Sequence, residues 1–239
     1  MFVKSIKIVQ RAMFPIFRVV QLLPQQMQVG VAGTGFFINS RGYFVSVAHV
    51  FDEANQNTKF LYIGKLPENL QNPWLEITEV CRDDDADIYI GKIELKTPEY
   101  LRLSKNTPNI GRSVCVSGYP LAEISTDAQG RLEVGRVRRY FQPTFVLDKG
   151  VSNSNNRQGR TRKHDGFLVR DVGLFGMSGG PVFDPSGAVV GIQGSVTQPR
   201  TSSNGSRTIS VENALAIRSN LILGLLKKNK IKANFLGRF

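Results

Sequence analysis

The sequence predicts an all-β fold of two β subdomains that ends in a C-terminal helix. Short apolar runs recur between turn signals along most of the 239 residues, at the spacing of antiparallel strands joined by hairpins. Helix-period patterning is nearly absent before residue 219. A polar stretch containing a proline, residues 101–111, falls near the midpoint and predicts the connection between the two halves.

The chain is long enough for one large domain with its own core. The expected units of that domain, 1–239, are an N-terminal barrel over about 1–105, a C-terminal barrel over about 106–218 and a helix over about 219–230. We expect Ser219 to cap this helix and Leu221, Leu225 and Leu226 to form its apolar face. Residues 148–165, rich in Asn, Ser, Arg and Lys, predict a long mobile loop.

The chain is strongly basic. Its 31 Lys and Arg exceed its 19 Asp and Glu by 12, and basic residues cluster at 136–139, 157–163 and 227–230. Such a field favours acidic partners, such as nucleic acid or an anionic membrane surface. No aromatic residues are interleaved with these clusters, and no nucleic-acid module is recognisable. We therefore expect solvated surface with a weak polyanion contact through basic loops.

The cysteines and the opening segment indicate the cellular compartment expected for the protein. Cys81 and Cys115 are the only cysteines and lack metal-ligand spacing, so we expect two free thiols, no metal and no cofactor. Free thiols favour a reducing compartment and hence the cytoplasm, with a periplasmic or exported form as the alternative. Basic residues interrupt the apolar opening segment, which predicts no membrane span and leaves a targeting signal as an open alternative.

Residues 176–181, GMSGGP, carry the sharpest chemical signal. A nucleophilic serine needs a tightly bent backbone that exposes its hydroxyl, and glycines permit that bend. We expect Ser178 to be a nucleophile and the N–H groups of Gly176 and Ser178 to form an oxyanion hole. The alternative is a glycine-rich hairpin turn. The G-x-S-x-G elbow of α/β-hydrolases also fits, but there the histidine follows the serine, whereas both histidines here precede it.

The chain has only two histidines that could serve as the base. His49 ends an apolar strand and His164 lies in the predicted basic loop, so we expect His49 to be the general base and His164 to be a surface residue. A structural role is the alternative for His49.

The orienting acid should be partly buried on a rigid element. Among the four aspartates of residues 83–87, Asp87 runs straight into a strand and is the expected acid, with Asp85 next.

These motifs together resemble the trypsin-like serine peptidases, most closely their HtrA-like bacterial branch. The matching segments are GTGFFI at 33–38, SVAHV at 46–50, DIYIGKI at 87–93 and GMSGGP at 176–181. The resemblance implies two antiparallel six-stranded β-barrels with a C-terminal helix. It also implies a serine endopeptidase that hydrolyses protein substrates through an acyl-enzyme, with Ser178, His49 and Asp87 as the catalytic triad.

The chain departs from the family pattern in several places. Met177 stands before the serine, where the family usually has Asn or Asp, and no cysteine follows His49 to form the disulfide of secreted members. No PDZ-like domain is expected after residue 239. Because no Ile-Val-Gly-Gly neo-N-terminus is present, we expect a regulatory protein partner, or disorder in the loop at 148–165, to be the switch.

The resemblance also implies where a peptide substrate would bind, as a strand beside residues 192–196. The residues expected to contact it are Val172 at the base of the pocket and Ile192, Gln193, Gly194 and Ser195 along its wall. Val172 carries no carboxylate, and Asp171 is expected to face away. The residue on the N-terminal side of the cleaved bond, P1, is therefore expected to be small or medium and apolar rather than Lys or Arg.

Two other functions fit the same sequence. A trypsin-like domain without activity could serve as a binding module, although all three catalytic residue types are present. A nucleic-acid-associated protein could use the basic loops as a tether, and this role is compatible with proteolysis.

Overall fold

In the computed structural model, the chain begins with an α-helix, α1 (Val3–Ala12), which the sequence pattern did not predict. The structure describes residues 1–23, 26–52, 60–66, 74–97, 99–126, 132–155, 161–170, 173–197 and 213–236. The residues Ser5, Val9 and Ala12 recur about one turn apart and are the buried face of α1. Among the described residues no side chain caps this helix, whose N-cap is Phe2, so the usual start signal is absent.

The first β-sheet is formed by the strands that precede residue 100. In chain order they are β1 (Met13–Leu23), β2 (Gln26–Phe37), β3 (Tyr43–Ser46), β4 (Phe60–Gly64), β5 (Leu75–Glu76), β6 (Thr78–Asp83) and β7 (Ile88–Lys92). Across the sheet the order is β5-β4-β1-β2-β3-β7-β6, and all neighbours are antiparallel. This sheet has seven strands rather than the six expected. The additional strand is the two-residue β5, at the edge beside β4.

The second sheet closes into a barrel. Its strands are β8 (Leu103–Ser104), β9 (Ser113–Thr126), β10 (Leu132–Asn155), β11 (Thr161–Val169), β12 (Pro181–Phe183), β13 (Val189–Thr197), β14 (Asn213–Arg218) and β15 (Phe235–Leu236). The order β12-β9-β10-β11-β14-β13 is closed by pairing of β12 with β13, and β8 and β15 extend β13 outside this ring. The predicted all-β fold with a six-stranded barrel is confirmed.

A long hairpin occupies most of the segment predicted to be a loop. β10 pairs with β11 from Val146 opposite Val169 to Asn155 opposite Thr161, and His164 lies on β11 opposite Ser152. The loop prediction is therefore wrong for 148–155 and 161–165, whereas 156–160 lie outside the described residues. The ladder of an antiparallel pair is made by backbone hydrogen bonds, so polar residues form it without an apolar pattern.

The C-terminal helix, α2 (Ser219–Lys228), forms close to its predicted bounds. Its buried side chains include Ile222, Leu225 and Leu226, whereas the predicted core residue Leu221 is only partly buried. Ser219 is not the cap, because the N-cap residue is Arg218 and the Ser219 hydroxyl donates to the carbonyl of Ser104 at 2.6 Å. That bond fastens α2 to β8.

Two large apolar clusters and a small one, formed by Phe17, Val19 and Ile63, fill the described interior. One cluster joins α1, α2 and both sheets through residues such as Phe14, Phe44 and Phe183. The second lies inside the closed barrel and is called here the barrel cluster. Its members are Val114, Val116, Val146, Phe167, Val169, Met177, Val182, Val190, Ala214 and Ala216. Met177 adjoins Ser178, so the loop that carries this serine is attached to the barrel interior.

Candidate active site

Two neighbouring strands of the first sheet bring His49 and Asp87 together. β3 and β7 run antiparallel, with Ser46 opposite Tyr89. The chain leaves β3 into a 3-10 turn, Ala48–Phe51, that carries His49, and Asp87 is the residue before β7. Because the end of one antiparallel strand adjoins the start of its neighbour, two residues 38 positions apart meet at one edge of the sheet.

The Asp87 carboxylate contacts His49 at two points. Oδ2 lies 2.7 Å from His49 Nδ1, and Oδ1 accepts a hydrogen bond from the His49 backbone N–H at 2.9 Å. The Asp87 side chain is 1% exposed and the His49 side chain 31%. An ionised carboxylate can only accept, so the imidazole proton is on Nδ1 and the lone pair of Nε2 is left for another proton.

The backbone at Asp87 is held in an uncommon conformation. Its φ of 58° lies in the left-handed region, which Asp tolerates better than most residues. Its carbonyl accepts a hydrogen bond from Ala48 N–H at 3.3 Å, so backbone and side chain both hold the turn of His49. Asp84 and Asp85 are exposed, and Asp84 pairs with Arg82. The structure therefore places Asp87, rather than Asp85, against His49.

Ser178 lies in the loop between β11 and β12. Three backbone N–H groups of this loop donate hydrogen bonds to backbone carbonyls: Met177 to Leu174, Gly179 to Gln193 and Gly180 to Met177. Among the described residues, no backbone carbonyl accepts a hydrogen bond from the amides of Gly176 or Ser178. These two amides are the donors that the sequence predicts for an oxyanion hole, and the fold leaves them for another acceptor.

The loop of Ser178 and the turn of His49 contact the same point of β2. A β-carbon built on Gly33 would lie 2.5 Å from Val50 Cγ2 and 2.9 Å from the Ser178 carbonyl oxygen. Only glycine leaves both in place. The Ser178 hydroxyl itself donates to the Gly194 carbonyl at 3.5 Å, a long and weak hydrogen bond.

Thr34, which the sequence analysis did not single out, ties the two halves of the site together. Its backbone N–H donates to the Ser178 carbonyl at 2.8 Å, and its hydroxyl donates to the Gly176 carbonyl at 2.8 Å. Ser46, at the end of β3, donates from its hydroxyl to the Thr34 carbonyl at 2.9 Å. The sequence feature that could have identified Thr34 is its position between two glycines in the segment 33–38.

We expect Gly180→Ala to destabilise the fold by about 3 kcal/mol, through overpacking against backbone that cannot move aside. A β-carbon on Gly180 would lie 1.9 Å from the Ser117 carbonyl oxygen. The measurement is the free energy of unfolding in urea. The matched control is Gly30→Ala, where a β-carbon would meet no atom within 4 Å and stability should be unchanged. Equal midpoints for the two variants would contradict this packing.

Met177 anchors the Ser178 loop by apolar packing. Its side chain is fully buried in the barrel cluster. A β-carbon on Gly118 would lie 2.6 Å from Met177 Cα, so the two backbones are in close contact. The departure from the family's Asn or Asp therefore replaces a polar side chain with a core residue at this position.

The residues predicted to contact substrate are only partly within the described structure. Val172 and Asp171 lie outside the described residues. Ile192, Gln193, Gly194 and Ser195 are on β13, and the side chain of Ile192 is buried in the interior.

Beside the Ser178 loop, Phe175 is 76% exposed, which the sequence pattern did not predict. An exposed aromatic ring next to this loop is available for contact with an apolar group.

Other chemistry-bearing groups lie away from this site. Cys81 is partly buried and Cys115 is buried. Burial, reinforced by the charge of Glu79, raises the pKa of the Cys81 thiol and makes it a poor nucleophile. In the described part of the chain, no group of three or more His, Cys, Asp or Glu side chains could hold a metal ion. No helix there is both long and apolar enough to cross a membrane.

Comparison with known proteins identifies the family. The family described as trypsin-like peptidase domain matches residues 33–192, about two thirds of the chain. The chain belongs to the trypsin-like peptidase family. The family resemblance predicted from the motifs is confirmed, and the matched range includes His49, Asp87 and Ser178.

Individual relatives of this trypsin-like peptidase are distant. A protein named probable periplasmic serine endoprotease DegP-like from Pseudomonas savastanoi pv. phaseolicola is 24% identical over 215 residues, 89% of this chain and 38% of that protein. A protein of the same name from Brucella suis biovar 1 is 23% identical over 209 residues, 86% of this chain and 35% of that protein. The chain thus spans little more than a third of these relatives' length.

A solved structure agrees with the fold. The active form of the Rv3671c protease from M. tuberculosis superposes with a TM-score of 0.62 at 18% identity, over 98% of this chain and 86% of that one. The inactive form gives a TM-score of 0.59 at the same identity, over 94% of this chain and 92% of that one. At this identity the likeness establishes the trypsin-like fold.

Proposed function

We propose that this chain is a serine endopeptidase that hydrolyses peptide bonds of protein substrates, with Ser178 as nucleophile, His49 as general base and Asp87 as the acid that orients the base. The observation that carries the proposal is the pair of Asp87 and His49, 2.7 Å apart, with the carboxylate buried and the imidazole partly open to solvent. In a trypsin-like fold, this arrangement prepares Nε2 to accept a proton from a serine.

The proposed reaction starts when Ser178 Oγ attacks the carbonyl carbon of the scissile bond and His49 Nε2 takes the hydroxyl proton. The amides of Gly176 and Ser178 stabilise the developing oxyanion, each by about 2.7–4 kcal/mol. Protonated His49 then gives its proton to the leaving nitrogen, the C–N bond breaks and the acyl group stays on Ser178. Water, deprotonated by His49, attacks this ester, the C–O bond to Ser178 breaks, and His49 returns the proton to Oγ as the acid product leaves.

Two features of the resting site support this sequence of steps. The Ser178 hydroxyl must turn from the Gly194 carbonyl to His49, and because the existing bond is 3.5 Å long, little interaction energy is lost. The imidazole, in contrast, should not turn. Its two bonds to Asp87, one from the ring and one from the backbone, fix both its orientation and its tautomer.

A peptide substrate is proposed to add as a strand along β13, beyond Ile192. Ile192 is paired with Pro181 of β12, and among the described residues β12 pairs with no residue of β13 after it. The backbone from Gly194 onward therefore has an edge next to Ser178. Since Val172 is uncharged in sequence, we propose a small or medium apolar side chain at P1.

The proposal is tested with a peptide library prepared from a whole proteome. After incubation, new N termini are captured and sequenced by mass spectrometry, with Ser178→Ala as the paired sample. We expect new N termini with wild type alone, preceded by small or medium apolar residues. A library left intact by a folded wild-type protein, or cleaved mainly after Lys or Arg, would contradict the proposal or its P1 part, respectively.

We further propose a regulatory partner, a polyanion contact and a cellular compartment for this protein. A protein partner is proposed to control activity, and the exposed lysines at the end of α2, Lys227 and Lys228, are proposed to give a weak polyanion contact. With only two cysteines in the sequence, we propose the cytoplasm, whereas the relatives' names place those proteins in the periplasm. Fractionation of cells that express the whole protein distinguishes the two compartments.

A further inference from the structure

An open apolar groove, called here the α1 groove, lies between the start of α1 and the second sheet. Its walls include Phe2, Val3 and Ile6 at the start of α1, and Ser113, Pro143 and Phe145 on β9 and β10. The groove has a volume of about 450 Å³, within the range of pockets that bind ligands. None of these six residues is charged, and none belongs to the proposed triad or to β13.

The groove forms because α1 covers only part of one face of β10. At one end of the helix, Arg139 Nη1 donates to the Gln10 carbonyl at 2.9 Å. At the other end, Phe2 and Phe141 both contact the ring of Phe183, with ring centroids 5.9 and 6.4 Å away. Residues 139, 141, 143 and 145 alternate along the strand and therefore share this face. The last of them, Phe145, is left 40% exposed.

The backbone around the groove is already paired, so a partner must bind through side chains. Phe145 is opposite Ser113 of β9, and its carbonyl accepts a hydrogen bond from Arg170 N–H at 3.4 Å. No strand edge is therefore open at Phe145 for a peptide to extend the sheet. The contact surface is apolar, because Val3, on the opposite wall, is 68% exposed. Exposed apolar surface of this kind marks an interaction site.

Cations surround this apolar surface. Every charged residue that adjoins one of the six wall residues in sequence is basic, and Arg170 is bonded to Phe145. These exposed cations are Lys4, Lys7, Arg112 and Arg170. Two acidic residues of neighbouring segments, Asp148 and Asp184, are fewer, and their carboxylates accept hydrogen bonds from nearby backbone N–H groups at 2.7 and 2.8 Å. The surroundings of the groove are therefore net positive.

We propose that the α1 groove is a docking site for an acidic peptide segment of a partner protein, anchored by one or two large apolar side chains. The anchors enter between Val3 and Phe145, and Asp or Glu residues on either side face the surrounding cations. Apolar burial supplies most of the affinity, and the charges select the partner and speed its association. A recess between a helix and a sheet fits a peptide side chain better than the flat surface of a bilayer. This inference does not rest on peptidase activity.

The test selects short random peptides displayed on phage against the Ser178→Ala protein, which prevents cleavage of the peptides. We expect enriched peptides to carry a large apolar residue next to Asp or Glu. The most enriched peptide is then labelled with fluorescein, and its Kd is measured by fluorescence anisotropy. Adding Phe145→Asp should raise this Kd about tenfold or more, because an apolar contact is lost and a like charge is introduced. Added salt should also weaken binding.

Control variants separate the groove from the rest of the surface. Leu61→Asp changes another exposed apolar residue, on β4, and should leave the Kd unchanged. Val3→Asp replaces Phe145→Asp if the latter does not fold. Failure to enrich acidic peptides, or an enriched peptide that binds the groove variants as tightly as their parent, overturns the inference. Vesicles of phosphatidylserine and phosphatidylcholine that bind the parent but not the groove variants, with no acidic peptide enriched, would assign the groove to a membrane surface instead.

Discussion

Replacing Ser178 with alanine is expected to lower kcat by a factor on the order of 10⁶, the loss seen when the nucleophile of a Ser-His-Asp peptidase is removed. The reason is that no acyl-enzyme can form without Oγ. The measurement is kcat on a peptide that wild type cleaves well. The fold should be unaffected, within about 0.5 kcal/mol, because the hydroxyl makes only the 3.5 Å bond to Gly194.

A second serine gives a matched control for this variant. Ser186 is exposed in the turn before β13, where its hydroxyl bonds to the Asp184 carboxylate. Ser186→Ala loses the same oxygen atom and should keep full activity. The assignment of Ser178 is wrong if the folded Ser178→Ala protein keeps wild-type kcat.

Asp87→Asn is expected to lower kcat by about 10⁴-fold, through the tautomer of His49 rather than through its position. An amide presents both a donor and an acceptor where the carboxylate presents two acceptors. Since Oδ1 also receives the His49 backbone N–H at 2.9 Å, the amide keeps its oxygen there and turns its NH₂ toward Nδ1. Nδ1 must then accept, which puts the ring proton on Nε2, where it blocks transfer from Ser178.

The neighbouring aspartate is the control that distinguishes this account from general loss of acidity. Asp85 is exposed and was the second choice from sequence. Asp85→Asn should retain wild-type kcat, and Asp87→Asn should in addition lose about 1–3 kcal/mol of unfolding free energy because a buried charged acceptor is removed. The reverse result, with activity lost only in Asp85→Asn, would exchange the roles of the two residues.

The components of the proposed site could be selected from sequence because few residues of each type were available. Only two histidines exist, and only one of them ends an apolar strand. Asp87 was distinguished from its neighbours by the strand that follows it, and antiparallel pairing of β3 with β7 explains why that strand start meets His49. These inferences used only the local residue pattern, and the strand pairing that explains them is seen in the structure.

The remaining features depend on contacts that no local pattern contains. The bonds of Thr34 to Gly176 and Ser178 join residues more than a hundred positions apart. α1 was missed because its buried face begins without a capping residue, and the β10–β11 hairpin because its polar strands lack an apolar period.

Reaction with a fluorophosphonate, read by intact mass and peptide mapping, tests the central claim that Ser178 is a nucleophile activated by His49 and Asp87. We expect wild type to gain one adduct, located on Ser178, and His49→Ala to gain none over the same time. A folded wild-type protein that gains no adduct at Ser178, or a His49→Ala variant that reacts as fast as wild type, would contradict the claim. The first of these results would favour a trypsin-like domain that binds without cleaving.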